Sequence, residues 1–312
     1  MVLEVRSFTW KKDYELVRAF LVLTYNLTHS FQNWIPSMFE NIKFGPCGRE
    51  YRDEEDEYIK IWENLDDSCI SSVSKIAAVT FCKPSGDCWI QIHPDYRFSE
   101  REIVLWLEEQ RRKVKSHENV ELELRFRVNE TDQKRIALLT ELGYHDFGLE
   151  EYDRRRPVNK RIPDCRLPDG FTVRSVDVEK DYAQYKKVLA AVFSHCSCMT
   201  ERTARTYSAA SFYNKDLDLV AVDRQGDFAD FCTVRMDPGS RMAELEPVGT
   251  HPTYRRLGLA KSVICEGLRR LQKYHPSTMC ILGAATSEAA NRLYDSVGFT
   301  EKTEVHLWQK KL

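Results

Sequence analysis

The chain has 312 residues, 42% hydrophobic and 30% charged, enough for a sizeable core and, by length, for two domains. Its 46 basic and 48 acidic residues leave a formal net charge of −2, which argues against nucleic acid as the main partner. No run is long enough to span a membrane and no apolar stretch follows a basic N-terminus, so the expectation is a cytoplasmic protein with no membrane partner; the oligomeric state is not legible.

The opening MVLEVRSFTW alternates like a strand. The acidic run DEEDEY, residues 53–58, reads as a solvated loop. DRRRPVNKRIPDCRLPDG, residues 153–170, is rich in Lys and Arg, carries three prolines and lacks apolar periodicity; it reads as an exposed connector. Strand-like stretches follow at 171–176, 217–223, 228–236 and 242–249, and KDYAQYKKVLAAVFS carries apolar residues at helical spacing. Several strands succeed one another without helices, which predicts an α+β fold around a mixed, largely antiparallel sheet flanked by helices. The ten cysteines contain no C-x-x-C pair; Cys196 and Cys198 beside His195 come nearest to a metal motif. Free buried thiols and no metal are expected.

The chain repeats itself. Val5-Arg6-Ser7 with Lys12-Asp13-Tyr14 returns as Val173-Arg174-Ser175 with Lys180-Asp181-Tyr182. His93-Pro94-Asp95-Tyr96-Arg97 returns as His251-Pro252-Thr253-Tyr254-Arg255, and Leu142-Gly143-Tyr144 as Val297-Gly298-Phe299. The offsets, 168, 158 and 155 residues, drift slowly and keep their order, so the chain reads as two copies of one fold. The expected division is a first domain at 1–155, a linker at 156–170 and a second domain at 171–312.

In the second copy, MAELEPVGTHP is a strand interrupted by Pro247, which predicts a bulge or an edge. After Pro252 the chain turns, and apolar residues at 259, 260, 263, 264, 268 and 271 mark one face of a helix running to about Lys273. The stretch Arg255-Arg256-Leu257-Gly258-Leu259-Ala260-Lys261 therefore sits at a helix N-terminus. Unpaired N–H groups and the positive end of the dipole make that a place for a diphosphate. Gly258 bares the backbone at closest approach, Ala260 keeps the next position small, and Arg255 and Arg256 add positive charge.

This stretch resembles the central motif of the GNAT acetyltransferase superfamily, Gln/Arg-x-x-Gly-x-Gly/Ala after a V-x-P-x-Y-R strand end. SEAANRLYDSVGF, residues 287–299, resembles the next motif, a short helix with Asn and Tyr closed by Gly-Phe. The resemblance covers residues 171–312, with the first copy a diverged member. It implies acetyl-CoA as donor, its pyrophosphate on Arg255 to Lys261. It also implies a pantetheine arm paired with the backbone of Val248, Gly249 and Thr250, in accord with a splayed, proline-broken strand.

Acetyl transfer to an amine needs a base, an oxyanion site and an acid for the leaving thiolate. Tyr294 matches the family's tyrosine position and suits the acid role. Asn291, one turn earlier on the same face, is placed to hydrogen-bond pantetheine. Glu244 and Glu246 share a strand face and are both candidate bases, Glu246 preferred as nearer the break. A backbone N–H at Thr250 or Val248 would hold the oxyanion, and His251 and His195 are not needed.

The first copy departs from this pattern. Glu100 and Glu102 stand opposite Gly258 and Ala260, and Leu139 and Ile136 opposite Tyr294 and Asn291. The expectation is an acetyl-CoA-dependent N-acetyltransferase working on a small-molecule or protein amine, with one site in the C-terminal copy. The alternatives are a non-catalytic acyl-CoA-binding or regulatory protein and an interaction module that binds no cofactor.

Overall fold

A computed structural model of the chain describes residues 3–31, 34–45, 55–65, 72–113, 122–193 and 199–312. His195, Cys196 and Cys198, and Asp53 and Glu54 of the acidic run, lie outside the described residues. The elements in order are β1 (Leu3–Thr9), α1 (Trp10–Thr28), α2 (Pro36–Phe44), β2 (Glu55–Asn64), β3 (Ile76–Cys82), β4 (Asp87–Ile92), α3 (Glu100–Lys113), β5 (Glu123–Asn129), α4 (Gln133–Glu141) and β6 (His145–Arg156). They continue as β7 (Thr172–Ser175), α5 (Val178–Val192), α6 (Glu201–Tyr207), β8 (Asp218–Val222), β9 (Phe228–Met236), β10 (Met242–Thr250), α7 (Leu259–Leu271), β11 (Thr278–Ala284), α8 (Glu288–Ser296) and β12 (Glu301–Lys311).

The chain forms two compact units. One takes Met1–Pro36, Tyr51–Glu151 and Thr303–Leu312; the other takes Ser37–Glu50 and Tyr152–Lys302. These units differ from the halves expected at 1–155 and 171–312. The first unit's strands run β1-β2-β3-β4-β5 and close with β12, whose Val305–Lys311 pair antiparallel to β5. The second unit's sheet begins with Tyr152–Arg156 of β6 on β11 and continues through β10, β9 and β8 to β7. Each sheet thus takes its final strand from the other half of the sequence, and α2 joins the second unit. Within each unit one neighbouring pair is parallel, β4 with β5 and β10 with β11.

The repeats mark equivalent devices. Arg6 pairs with Asp13 at 3.0 Å and Arg174 with Asp181 at 2.5 Å. Each aspartate also accepts a backbone N–H at 2.8 Å, from Thr9 and Asp177, an N-terminal cap reached from within the helix. His93 and His251 both accept, through Nδ1 at 3.3 Å, the N–H two residues on. The shared His-Pro-x-Tyr-Arg is the cap of a short 3-10 turn after a strand.

In the second unit, α7 buries Leu259, Val263, Ile264, Cys265, Leu268 and Leu271 against β8, β9 and β10. On the other face Tyr185, Val188 and Leu189 of α5 pack with Val220, Val222 and Phe231. Central β8 and β9 are covered on both faces, so they read as apolar runs rather than alternations.

Three expectations are corrected by burial and pairing. Glu55–Tyr58 of the acidic run opens β2, and Asp56 is buried, accepting the Trp10 indole N–H at 3.1 Å. Arg154 and Arg156, read as connector charges, are buried in β6. Two cysteine pairs are bonded rather than free: Cys82–Cys88, directly opposite on the β3–β4 hairpin, and Cys165–Cys265, which ties the segment after β6 to α7. Cys232 and Cys280 are free and buried.

The start of α3 shows what the first unit does at the turn. Its 3-10 turn, Pro94–Ser99, runs directly into α3, and Glu100 is right-handed (φ −59°) and 3% exposed. Its carboxylate bonds the Arg135 guanidinium of α4 and lies 2.9 Å from Arg97, which also pairs with Asp132 at 2.8 Å. A carboxylate of the protein already neutralises the arginine that a phosphate would need. Removing one partner of a buried pair strands the other. Glu100→Ala should therefore lower unfolding free energy by about 3–5 kcal/mol in a denaturant titration. Exposed Glu102→Ala should change it by less than about 0.5 kcal/mol; equal effects would contradict the assignment of Glu100 to an internal ion cluster.

Candidate active site

The corresponding turn of the second unit is open. Gly258 is the N-cap of α7, left-handed at φ 86° and ψ 6°, with no side-chain cap; an added Cβ would meet nothing within 4 Å. Arg256 is also left-handed at φ 66°, a conformation uncommon for a residue with a side chain. Two left-handed residues around Leu257 shape the backbone into the concave form that binds anions, and the first amides of α7 follow it without intrahelical partners. Arg255, Arg256, Leu257 and Gly258 are exposed, Ala260 and Lys261 are half-buried, and Leu259 is buried as the helix's first core residue. Arg255 donates from Nε to Thr250 O at 3.4 Å.

The strand leading into this turn is broken at the expected place. The Glu246–Pro247 peptide is cis. The ladder with β9 shifts register between Leu245 (opposite Val234) and Val248 (opposite Cys232), so two residues of β10 face one of β9. The parallel ladder with β11 covers only Met242–Glu244. Among the described residues β10 pairs with β11 no further than Glu244, and from Val248 to Thr250 its ladder is with β9. Val248 and Thr250 are half-buried on this stretch, and the Thr250 hydroxyl donates to buried Asp230. Gly249 lacks a side chain for a packing reason: a Cβ would stand 2.6 Å from Phe231 and 2.7 Å from Val192.

On the face of the sheet opposite α7, four polar side chains interrupt the core. Arg235 stands directly across from Glu244, and Thr233 from Asp218. Glu244 is 4% exposed, and its Oε2 accepts the Ser37 hydroxyl at 2.7 Å. Burial raises its pKa to about 7, with Arg235 and Ser37 pulling it down and Glu246 and Asp153 adding to the rise. Glu246 is half-buried on the same strand face. Arg235 donates to Tyr207 Oη at 3.2 Å and Asn41 Oδ1 at 3.0 Å. Burial works against its charge, but Tyr207, Glu246 and Glu244 outweigh that and hold its pKa above the ordinary value.

Tyr294 is half-buried on α8. Burial, then the charges of Glu246 and Cys232, raise its pKa to about 12, while Arg154 opposes the rise. The Arg154 guanidinium lies 5.8 Å from the Tyr294 ring centroid and donates at 2.7 Å to both Asp295 Oδ1 and Phe299 O. It also donates to Asn291 Oδ1, and Asn291 Nδ2 reaches Thr286 O and Ser287 O, both at 3.0 Å. The Asn291 amide is thereby engaged at both ends in holding the start of α8 to β6. In the first unit the equivalent α4 carries buried Leu139 and half-buried Ile136, both in an apolar core.

The structure thus brings Glu244, Glu246 and Tyr294 into one electrostatically coupled group. The strand edge at Val248–Thr250 and the turn at Arg255–Lys261 follow in chain order. Sequence reasoning missed Ser37, Arg154, Tyr207 and Arg235. Thr233 and Arg235, at alternate positions of β9, were the available signal; Ser37 and Arg154 lie far away in sequence and gave none. Among the described residues no group of three or more His, Cys, Asp or Glu is arranged to hold a metal ion, and no helix is long and apolar enough to cross a membrane.

Residues 189–299 match the Acetyltransferase (GNAT) family. The chain is 28% identical over 169 residues to a mycothiol acetyltransferase of Paenarthrobacter aurescens, covering 52% of each chain. It is 28% identical over 156 residues to that of Streptomyces coelicolor, covering 48% of this chain and 50% of the relative. The chain therefore spans about half the length of the curated relatives it matches. A tandem GNAT protein from the clavulanic acid biosynthesis pathway shares the fold over 99% of this chain and 98% of its own, with TM-score 0.69 and 13% identity. A GCN5-related N-acetyltransferase from Sphaerobacter thermophilus does so over 99% and 95%, with TM-score 0.65 and 14% identity. Residues 189–299 are a GNAT acetyltransferase domain, set in a chain whose whole length has the fold of tandem GNAT proteins.

Proposed function

We propose that the chain is an acetyl-CoA-dependent N-acetyltransferase with one working site, in the C-terminal copy, and that its acceptor is an amine of a small molecule or protein. The observation that carries this reading is the open left-handed N-cap at Gly258, directly after a strand edge released by the Pro247 bulge. The diphosphate of acetyl-CoA would meet the first amides of α7 with Arg255 and Arg256 beside it. Its pantetheine amides would pair with the backbone of Val248 to Thr250. The curated relatives, named for acetyl transfer, support the reaction class.

The chemistry follows from the charges. Glu244, at a pKa of about 7, is half ionised near neutrality, the range in which a general base works best. Glu246, nearer the break, is the second acceptor for the proton, directly or through water. The attacking nitrogen adds to the acetyl carbonyl, a β10 amide at Val248 or Thr250 holds the oxyanion, and the thiolate leaves. Tyr294 gives that thiolate its proton. Because the Glu246 charge contributes to the raised pKa of Tyr294, proton uptake by the carboxylates makes the tyrosine a stronger acid when it must donate. Acid and base are thereby linked.

Amine-dependent release of free thiol from acetyl-CoA is the direct test; binding with no release across a panel of amines would leave only an acyl-CoA-binding protein. Gly258→Glu should abolish acetyl-CoA binding in calorimetry, while Gly258→Asn, which tolerates left-handed backbone, controls for strain. Binding retained by the glutamate variant contradicts the turn's role. Tyr294→Phe should lower kcat by roughly 10²–10⁴-fold with little change in acetyl-CoA affinity; unchanged kcat removes it as the acid. The base must be ionised, so kcat/KM should rise with pH through a midpoint of about 7. A rate independent of pH between 5.5 and 8.5 would remove Glu244.

A further inference from the structure

Helix α2 lies early in the sequence, yet it belongs to the same compact unit as residues 152–302. One face explains why. Ser37, Glu40, Asn41 and Phe44 are spaced i, i+3, i+4, i+7, the side of a helix that packs. Ser37 donates to Glu244 at 2.7 Å. Glu40 accepts the backbone N–H of Ser211 at 2.6 Å and its hydroxyl. Asn41 accepts from Arg235 at 3.0 Å, and Phe44 packs with Tyr207 and Phe212. Glu40, Asn41 and Phe44 fasten the middle and C-terminal end of the helix without Ser37. Ser37 and Glu244 are 2% and 4% exposed, which makes their hydrogen bond a buried one to a charged group.

Resting on the reading of Glu244 as a base, we infer that Ser37 is a positioning residue of the acetyl-transfer site, its hydroxyl fixing Glu244 Oε2 so that Oε1 is the oxygen left to take the acceptor's proton. Oε1 has no hydrogen-bond partner among the described residues. The groups around this carboxylate are Arg235 on β9, Glu246 on β10, Asp153 on β6 and the Cys280 thiol on β11. Asp153 and Glu246 disfavour its charge, and Arg235 and Ser37 favour it. Ser37 carries no charge, so replacing it changes the proton affinity of Glu244 without adding or removing a charged side chain. The N-terminal half, which lacks an open turn of its own, would thereby supply part of the working site.

The sign is fixed. A hydroxyl donating to a carboxylate stabilises the ionised form, so removing it raises the pKa of the base. Ser37→Ala should move the acidic midpoint of kcat/KM upward by roughly one pH unit. The rate at pH 6.5 should fall about tenfold, with the rate above pH 9 and the acetyl-CoA affinity unchanged. Ser37→Thr should return the midpoint toward that of the wild type. If Ser37→Ala does not fold, Ser37→Cys, whose thiol is a weak donor, should give the same upward shift. An unmoved midpoint, or a rate reduced equally at every pH, overturns the inference. Glu244→Gln separates the two levels. Loss of rate in that variant with no shift in Ser37→Ala sinks only the role of Ser37, whereas retained rate and pH profile in Glu244→Gln sink the base reading on which it rests.

Discussion

The backbone at Gly258 is left-handed, and nothing stands over it. A side chain there would carry about 1–2 kcal/mol of backbone strain and would cover the amides that begin α7. Those amides, with the dipole behind them, are the one anion-binding arrangement in the turn that needs no side chain to supply it. The rest of the site is ordered from this point. The helix axis is set by Leu259, Val263 and Leu268 in the core, the turn is set by the His251 cap, and β10 reaches the turn only after the Pro247 bulge has parted it from β11. In the first unit the same helix begins without a left-handed residue, and Glu100 fills the charge requirement internally.

Burial of charge is the second constraint. Glu244 and Arg235 face each other on neighbouring strands, each 4% exposed. Isolated burial of either would cost several kcal/mol, and burial alone would keep the glutamate protonated. Arg235, seated on Tyr207 and Asn41, recovers enough of that penalty to leave Glu244 balanced near neutrality. The same logic runs through Tyr294, where Glu246 and Arg154 act in opposite directions. These groups titrate as a set, so a change at one is felt at the others.

The strands and helices of the second unit were legible because their periods are strong: β9 and β10 fall at 228–236 and 242–250 against expected stretches at 228–236 and 242–249, and α7 begins at Leu259 as expected. The bulge was legible because proline has no N–H to give the ladder. Arg154 was not, since a run of three arginines before a proline reads as solvent-facing until Asp295, Asn291 and the Phe299 carbonyl are brought around it. Ser37 was not, since its partner is 207 residues away and only the fold joins them. The exchange of final strands between sequence halves was hidden for the same reason: local pattern does not name a strand's neighbour.

On the proposed reading the chain holds one open diphosphate turn, at Gly258, and one closed by its own ion cluster, at Glu100. Isothermal titration of the whole chain with acetyl-CoA reads this directly. One site per chain, abolished in Gly258→Glu and kept in Glu102→Ala, is the result expected. Two sites per chain, or one site that survives Gly258→Glu, would contradict it.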